Sequence, residues 1–225
     1  MNKTNRIKNY ARELGADLVG VANVSVLKGM PTRIPDLYDL FPRAVSIAVS
    51  IEKFGSSLQA INLSYASQIE LLESVALKLS LFLEDKGSRT LVVHPRDHVD
   101  HVGKMGLISN KAIAKEAGIG WLGKSLLLVT PQHGPRVRLV SVFTDMPLVA
   151  DTHLQSRCGT CQICIATCPE KALTNIEFFD HPKSREEVLN VEKCKGNRCL
   201  VCVLVCPIGN RKKSVKVEKQ EGSNN

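Results

Sequence analysis

Cys158-Gly-Thr-Cys161-Gln-Ile-Cys164-Ile-Ala-Thr-Cys168-Pro169 and Cys194-Lys-Gly-Asn-Arg-Cys199-Leu-Val-Cys202-Val-Leu-Val-Cys206-Pro207 hold all eight cysteines of the 225-residue chain. Both runs end in Cys-Pro, and the second differs from the first only in a longer opening gap. Three thiolates two residues apart can curl one loop around a cubane. A fourth, on a short turn before proline, points away toward a neighbour, and in two-cluster ferredoxins it ligates the other cluster. The spacing predicts two 4Fe–4S clusters. One is expected on Cys158, Cys161, Cys164 and Cys206, the other on Cys194, Cys199, Cys202 and Cys168. The apolar residues of the second run, Leu200, Val201, Val203, Leu204 and Val205, would keep water out.

Two rival uses of cysteine fit less well. Zinc sites usually show two separated Cys-x2-Cys knuckles. Disulfides need an oxidising compartment, and the N-terminus, Met-Asn-Lys-Thr-Asn-Arg, has no apolar signal stretch. The uncharged run Cys199 to Asn210 is too short to span a membrane. The expected setting is an anaerobic cytoplasm, with no membrane partner.

Ahead of the cysteines lies a thiol-free body. Apolar residues make up 44% of the chain and charged residues 23%, which excludes wholesale disorder. Residues 1–150 carry 18 Lys and Arg against 13 Asp and Glu, a balance that could serve nucleic acid, an anionic cofactor or an acidic partner. Aromatic residues are only 4%, so base-stacking platforms are poorly supplied. Periodicity predicts helices over 4–15, 58–86 and 108–117, strands over 18–21, 44–51, 89–93, 126–130 and 136–144, and a polar loop over 94–106. This alternation reads as a layered α/β or α+β domain over residues 1–150, a small cysteine-bearing domain over 151–208 and a basic, frayed tail over 209–225.

Gly118-Ile-Gly-Trp-Leu-Gly123-Lys124-Ser125 matches the phosphate-binding pattern G-x4-G-K-[ST]. Its context is wrong, because a phosphate loop follows a strand and opens a helix, whereas here a helix precedes and a strand follows. Two uses remain open for three glycines and the only tryptophan: a tight turn with Trp121 as core plug, or a backbone wall against a large flat cofactor. Arg136 and Arg138 alternate on a strand and are expected to face one side, toward an anionic group or solvent. His94, Asp97, His98, Asp100, His101 and Lys104 crowd the polar loop, which reads as a hydrated loop, as a proton donor site with Lys104 the candidate donor, or as a discrete metal site on His94, His98 and His101.

Taken together, Ala117-Gly-Ile-Gly-Trp-Leu-Gly-Lys-Ser125, Gly134 to Leu148 (Gly-Pro-Arg-Val-Arg-Leu-Val-Ser-Val-Phe-Thr-Asp-Met-Pro-Leu), Leu14-Gly-Ala-Asp-Leu-Val-Gly20 and Pro42-Arg-Ala-Val-Ser-Ile-Ala-Val49, followed by the double cysteine run, resemble the epoxyqueuosine reductase family over nearly all of residues 5–208. The resemblance implies a nitroreductase-like, cobalamin-binding domain followed by a two-cluster ferredoxin-like domain, an architecture that reductive dehalogenases share. It implies that electrons pass through the clusters to a corrinoid cobalt, and that a low-potential donor such as ferredoxin or flavodoxin supplies them. Asn110, Lys111, Gly118, Gly120, Trp121, Gly123, Lys124, Arg136 and Arg138 are the residues expected to hold that cobalamin.

Two departures stand out. The chain stops within about 20 residues of Cys206, without a further helical-repeat domain. Lys104 also falls where the family carries a catalytic Asp. The expected reaction is therefore reduction of a small substrate. The alternatives are an activator protein that reduces a partner such as a corrinoid protein, and an epoxyqueuosine reductase acting on tRNA. A homodimer is compatible with the fold analogy.

Overall fold

The computed structural model describes residues 2–30, 34, 36–55, 57–95, 98–100, 105–178, 180 and 182–209. Lys104, the expected proton donor, lies outside them, as do Asp97 and His101.

In chain order the elements are α1 (Lys3–Glu13), β1 (Leu18–Asn23), α2 (Leu37–Leu40), β2 (Arg43–Ser50), α3 (Leu58–Leu63), α4 (Tyr65–Glu84), β3 (Thr90–Val93), β4 (His98–Asp100), β5 (Met105–Gly106), α5 (Asn110–Glu116), β6 (Trp121–Leu122), β7 (Leu128–Val129), β8 (Val137–Thr144), α6 (Ile163–Ala166), α7 (Arg185–Val188) and α8 (Val201–Leu204). Four strands form one sheet in the order β1-β2-β8-β3, every neighbour antiparallel. The fold is mixed α+β.

Strand alternation sorts the core into two layers. Val45, Ile47 and Val49 of β2 and Val140 and Val142 of β8 pack with Leu72, Val75, Leu79 and Leu83 of α4 and with Ile7 and Ala11 of α1. Ala44, Ala48 and Phe143 point the other way, into a cluster with Ile113, Ala114 and Ala117 at α5. Gly20 explains how closely that second layer sits: a Cβ there would come within 2.0 Å of the Ala117 carbonyl oxygen. No side chain larger than hydrogen fits between β1 and the end of α5.

Three expectations need correction. The helix over 58–86 is broken at Ser64, whose hydroxyl donates to the Ala60 carbonyl at 2.7 Å, a local bond that competes with the helical ladder. Gln68 spans the break, donating to the Ile61 carbonyl at 2.8 Å and to Ser64 Oγ at 2.9 Å. The polar loop over 94–106 contains a short antiparallel pair, β4 with β5. The strand over 126–130 shrinks to β7, which folds back on β6 with Trp121 opposite Val129. Residues 118–125 thus belong to a hairpin arm rather than a strand–helix turn.

After β8 the chain leaves the sheet past Asp151, whose carboxylate pairs with Lys8 at 2.5 Å and accepts from the Val21 N–H at 2.8 Å. From there to residue 209 the described residues form only four-residue helices, one 3-10 turn and one isolated bridge, Leu173 with Leu189. This segment returns to the body along a seam. Leu200 and Val203 bury against Ile51 and Ile61. Gly134 and Gly209 let the two backbones touch, since a Cβ on Gly134 would lie 2.1 Å from the Ile208 carbonyl oxygen and one on Gly209 2.2 Å from the Gly134 nitrogen. No helix among the described residues is long and apolar enough to cross a membrane.

Candidate functional site: the cysteine recess

Each cysteine is placed by a short local device. Gly159, at φ +49°, turns the chain so that the Cys161 N–H bonds the Cys158 carbonyl at 2.9 Å. Cys164 rides on α6, and Cys168 leaves that helix just before Pro169, its Sγ accepting from the Ala172 N–H at 3.3 Å. In the second run, the four-residue gap is absorbed by a 3-10 turn over Gly196–Arg198, and Cys194 Sγ accepts from the Gly196 N–H at 3.4 Å. Leu200 takes a left-handed conformation at φ +53° to start α8, which carries Cys202. None of the eight cysteines is in a disulfide, and all are partly buried.

The tertiary arrangement gathers them into two groups that overlap at Cys164 and Cys202. Cys158, Cys161, Cys164, Cys202 and Cys206 line one recess, with Gly123, Lys124 and Ser125 in its wall. Burial raises the Cys164 thiol, and Cys158, Cys206 and Cys161 raise it further. Burial likewise pushes the Cys202 thiol up to about 12, with Cys194, Cys164, Cys199 and Cys168 adding to it. The thiols that Cys202 feels are thus the three others of its predicted set, plus Cys164 of the neighbouring set. Crowded, desolvated thiols hold their protons unless a cation takes their place, and metal-bound thiols are deprotonated outright. Among the described residues no three His, Cys, Asp or Glu side chains converge tightly enough to grip a single ion. A tetrahedral zinc site would need four ligands each about 2.3 Å from one centre. Thiols spread around a recess suit a polynuclear cluster better, and on this donor set the residues fit.

The residues expected to hold cobalamin are brought together only in part, and most have other occupations. Arg136 lies one residue before β8, so strand alternation does not govern it. Its guanidinium is buried, bonding Glu52 at 3.1 Å and donating to the carbonyls of Val203 at 3.3 Å, Cys206 at 3.0 Å and Ile208 at 2.6 Å. It is a clamp on the cysteine segment. Arg138 donates to Gln68 Oε1 at 3.2 Å and stacks over Tyr65 at 4.9 Å, and burial lowers its pKa. The faces of Gly118 and Gly120 are closed by the chain itself: a Cβ on Gly118 would lie 2.5 Å from the Thr152 carbonyl oxygen, and one on Gly120 2.3 Å from that of Val129. Trp121 is 1% exposed and plugs the core beside Arg157.

Lys111 donates to the Leu126 carbonyl at 2.8 Å. Burial lowers its pKa, Arg185 lowers it further, and Cys194 and Cys202 oppose the shift, so this ammonium faces the second cysteine set. Gly123 and Lys124 face the first recess. Asn110 opens α5 with an enclosed Oδ1 that meets no donor among the described residues. Sequence reasoning overlooked Ser125, Ile163 and Ile208 in the recess wall. Only adjacency to Lys124, Cys164 and Cys206 could have signalled them.

No family model matches the chain. An epoxyqueuosine reductase of Bacillus anthracis is 26% identical over 243 aligned residues, covering 88% of this chain and 62% of the relative. The tetrachloroethene reductive dehalogenase of Sulfurospirillum multivorans is 34% identical over 119 residues, covering 45% of this chain and 24% of that protein. Among solved structures, an epoxyqueuosine reductase with an epoxyqueuosine-modified tRNA-Tyr stem loop superposes with a TM-score of 0.66 at 21% identity, covering 94% of this chain and 66% of that one. The chain is therefore similar to epoxyqueuosine reductases and, over a shorter stretch, to a reductive dehalogenase. It spans less than two thirds of the length of the relatives it matches.

Proposed function

We propose that the chain is an iron–sulfur reductase of the epoxyqueuosine reductase kind, with one 4Fe–4S cluster on Cys158, Cys161, Cys164 and Cys206 and a second on Cys168, Cys194, Cys199 and Cys202. The observation that carries this reading is where the fourth cysteines fall: Cys206 lines a recess with Cys158, Cys161 and Cys164, which Cys202 also lines, and Cys168 stands among the thiols acting on Cys202. When bound, such clusters supply single electrons at a potential set by charge, hydrogen bonds and exposure. The chain's own part is to hold and enclose them. Arg136 and the glycine seam fix the Cys206 end, and Leu200 and Val203 keep water from the inner side.

The substrate reading follows the relatives. They are named epoxyqueuosine reductases, and one relative's structure holds a modified tRNA stem loop. These favour a tRNA-borne epoxyqueuosine over a small free substrate. The basic excess of residues 1–150 suits a polyanion. The residues assigned to cobalamin, in contrast, are committed to packing or to the cysteine sets. That commitment favours a second reading, in which the chain passes its electrons to a partner protein.

The test starts from anaerobically reconstituted protein. About eight iron and eight sulfide per chain are expected from the ligand count. The loaded protein is then given a low-potential reductant and tRNA carrying epoxyqueuosine, with and without hydroxocobalamin, and the nucleosides are analysed by mass spectrometry. Conversion of the epoxide supports the first reading. Full cluster loading with no conversion and no retained corrinoid favours the electron-transfer protein. Zinc without sulfide would sink both.

A further inference from the structure

The loop that imitates a phosphate-binding motif opens no helix and so presents no helix N-terminus to a phosphate. It forms a wall of the cysteine recess instead, through Gly123, Lys124 and Ser125. Gly123 is there because the backbone runs close by: a Cβ on it would lie 2.6 Å from a Val129 methyl and 3.6 Å from Cys158 Sγ. The next residue brings a charge. The Lys124 side chain is 11% exposed, and its Nζ is enclosed with no hydrogen-bond acceptor among the described residues. Glu177 stands 3.9 Å away, but its side chain is 82% exposed, so water screens that pairing. An enclosed ammonium without an acceptor is costly. The recess it lines offers sulfur, and thiolates around an iron–sulfur cubane carry net negative charge.

We propose that Lys124 is the fixed positive charge of the cluster site formed by Cys158, Cys161, Cys164 and Cys206, where its enclosed Nζ donates to sulfur in the recess and raises the reduction potential of that cluster. The inference rests on the cluster reading above and deepens it. It also gives the Gly-Lys-Ser motif a use: the lysine that elsewhere meets phosphate here meets a sulfur-bound anion. The sign follows from electrostatics. Adding an electron makes the cluster more negative, a nearby cation favours that state, and removing the cation makes reduction harder.

The experiment is a potentiometric titration of the reconstituted full chain, followed by electron paramagnetic resonance. It compares wild type with Lys124→Met, Lys124→Arg and Glu177→Gln. In Lys124→Met, one of the two reduction steps should move down by a factor of about ten in electron affinity, about 59 mV for one electron, and the other should move much less. Lys124→Arg should stay near wild type. Glu177→Gln should move the same step slightly upward, because it removes an opposing charge. Clusters present at full stoichiometry with both steps unmoved in Lys124→Met overturn the proposal. Equal shifts in Lys124→Met and Lys124→Arg also overturn it, since packing rather than charge would then be responsible. If Lys124→Met takes up no iron, Lys124→Gln is titrated in its place, and an unmoved step there is equally fatal. A wild-type chain that binds no iron and sulfide overturns the cluster reading itself, and is told apart by metal analysis before any titration.

Discussion

Seven of the eight residues of β2 are buried, and both faces of its sheet are covered by helices that bury whole apolar stripes. In the cysteine segment, α6, α7 and α8 are four residues each and none of the eight cysteines is fully buried. The body can stabilise itself by the hydrophobic effect. The segment buries fewer apolar residues, and it is held to the body by the Arg136 clamp, the glycine seam and the packing of Leu200 and Val203 on Ile51 and Ile61. On the cluster reading proposed above, a ligand-dependent segment is anchored on a ligand-independent sheet, and the anchor sits next to the recess.

The largest effect should come from removing iron. Metal-binding free energy can amount to about 10 kcal/mol of folding free energy in small metal-dependent units. Chelation under reducing conditions is expected to abolish hydrogen-exchange protection across residues 158–209 while leaving β1, β2 and β8 protected. Loss of both together would break the contrast. Next, Arg136→Met leaves the carbonyls of Val203, Cys206 and Ile208 without their donor. It should cost about 3 kcal/mol of segment docking, seen as faster iron loss at an unchanged melting temperature of the sheet.

Gly20→Ala is the converse. Its methyl meets the Ala117 carbonyl at 2.0 Å, and overpacking of this kind costs about 1–3 kcal/mol. It should lower the thermal midpoint of the body and leave the iron content per folded molecule unchanged. Smallest is Asp145→Asn at the sheet's edge. Hydrogen bonding from Arg89 holds the Asp145 carboxyl below its ordinary 3.8, so its contribution is full above that value and disappears as pH falls through the lower folded value. The pair is exposed at Arg89, so the substitution should cost less than about 1 kcal/mol at pH 7 and nothing in strong acid. Parallel urea titrations at the two pH values would show it.

Much of this contrast was legible in the chain. Short continuous apolar runs marked β1 and β2, and three- and four-residue spacing marked α4, because a strand buried on both faces and a helix buried on one leave these local patterns. The break at Ser64 was missed because a side-chain bond to Ala60 outweighed a continuous helical pattern. Arg136 and Arg138 were assigned together because they are two residues apart, yet one grips a seam and the other a helix. Trp121 and Gly118 looked like cofactor contacts because glycine and tryptophan in a loop signal close approach without saying to what. Here the approach is to the chain's own residues 129 and 152.

By itself the sequence determined which atoms could ligate: the two cysteine runs, their spacing and the prolines that end them are local properties, readable within a dozen residues. The tertiary structure alone decided what surrounds those sulfurs. Arg136 reaches Cys206 across 70 positions, and the Gly123–Ser125 loop meets Cys158 from another part of the chain. Such contacts follow from how the sheet, the hairpin arm and the returning segment pack, and no local pattern of residues encodes them.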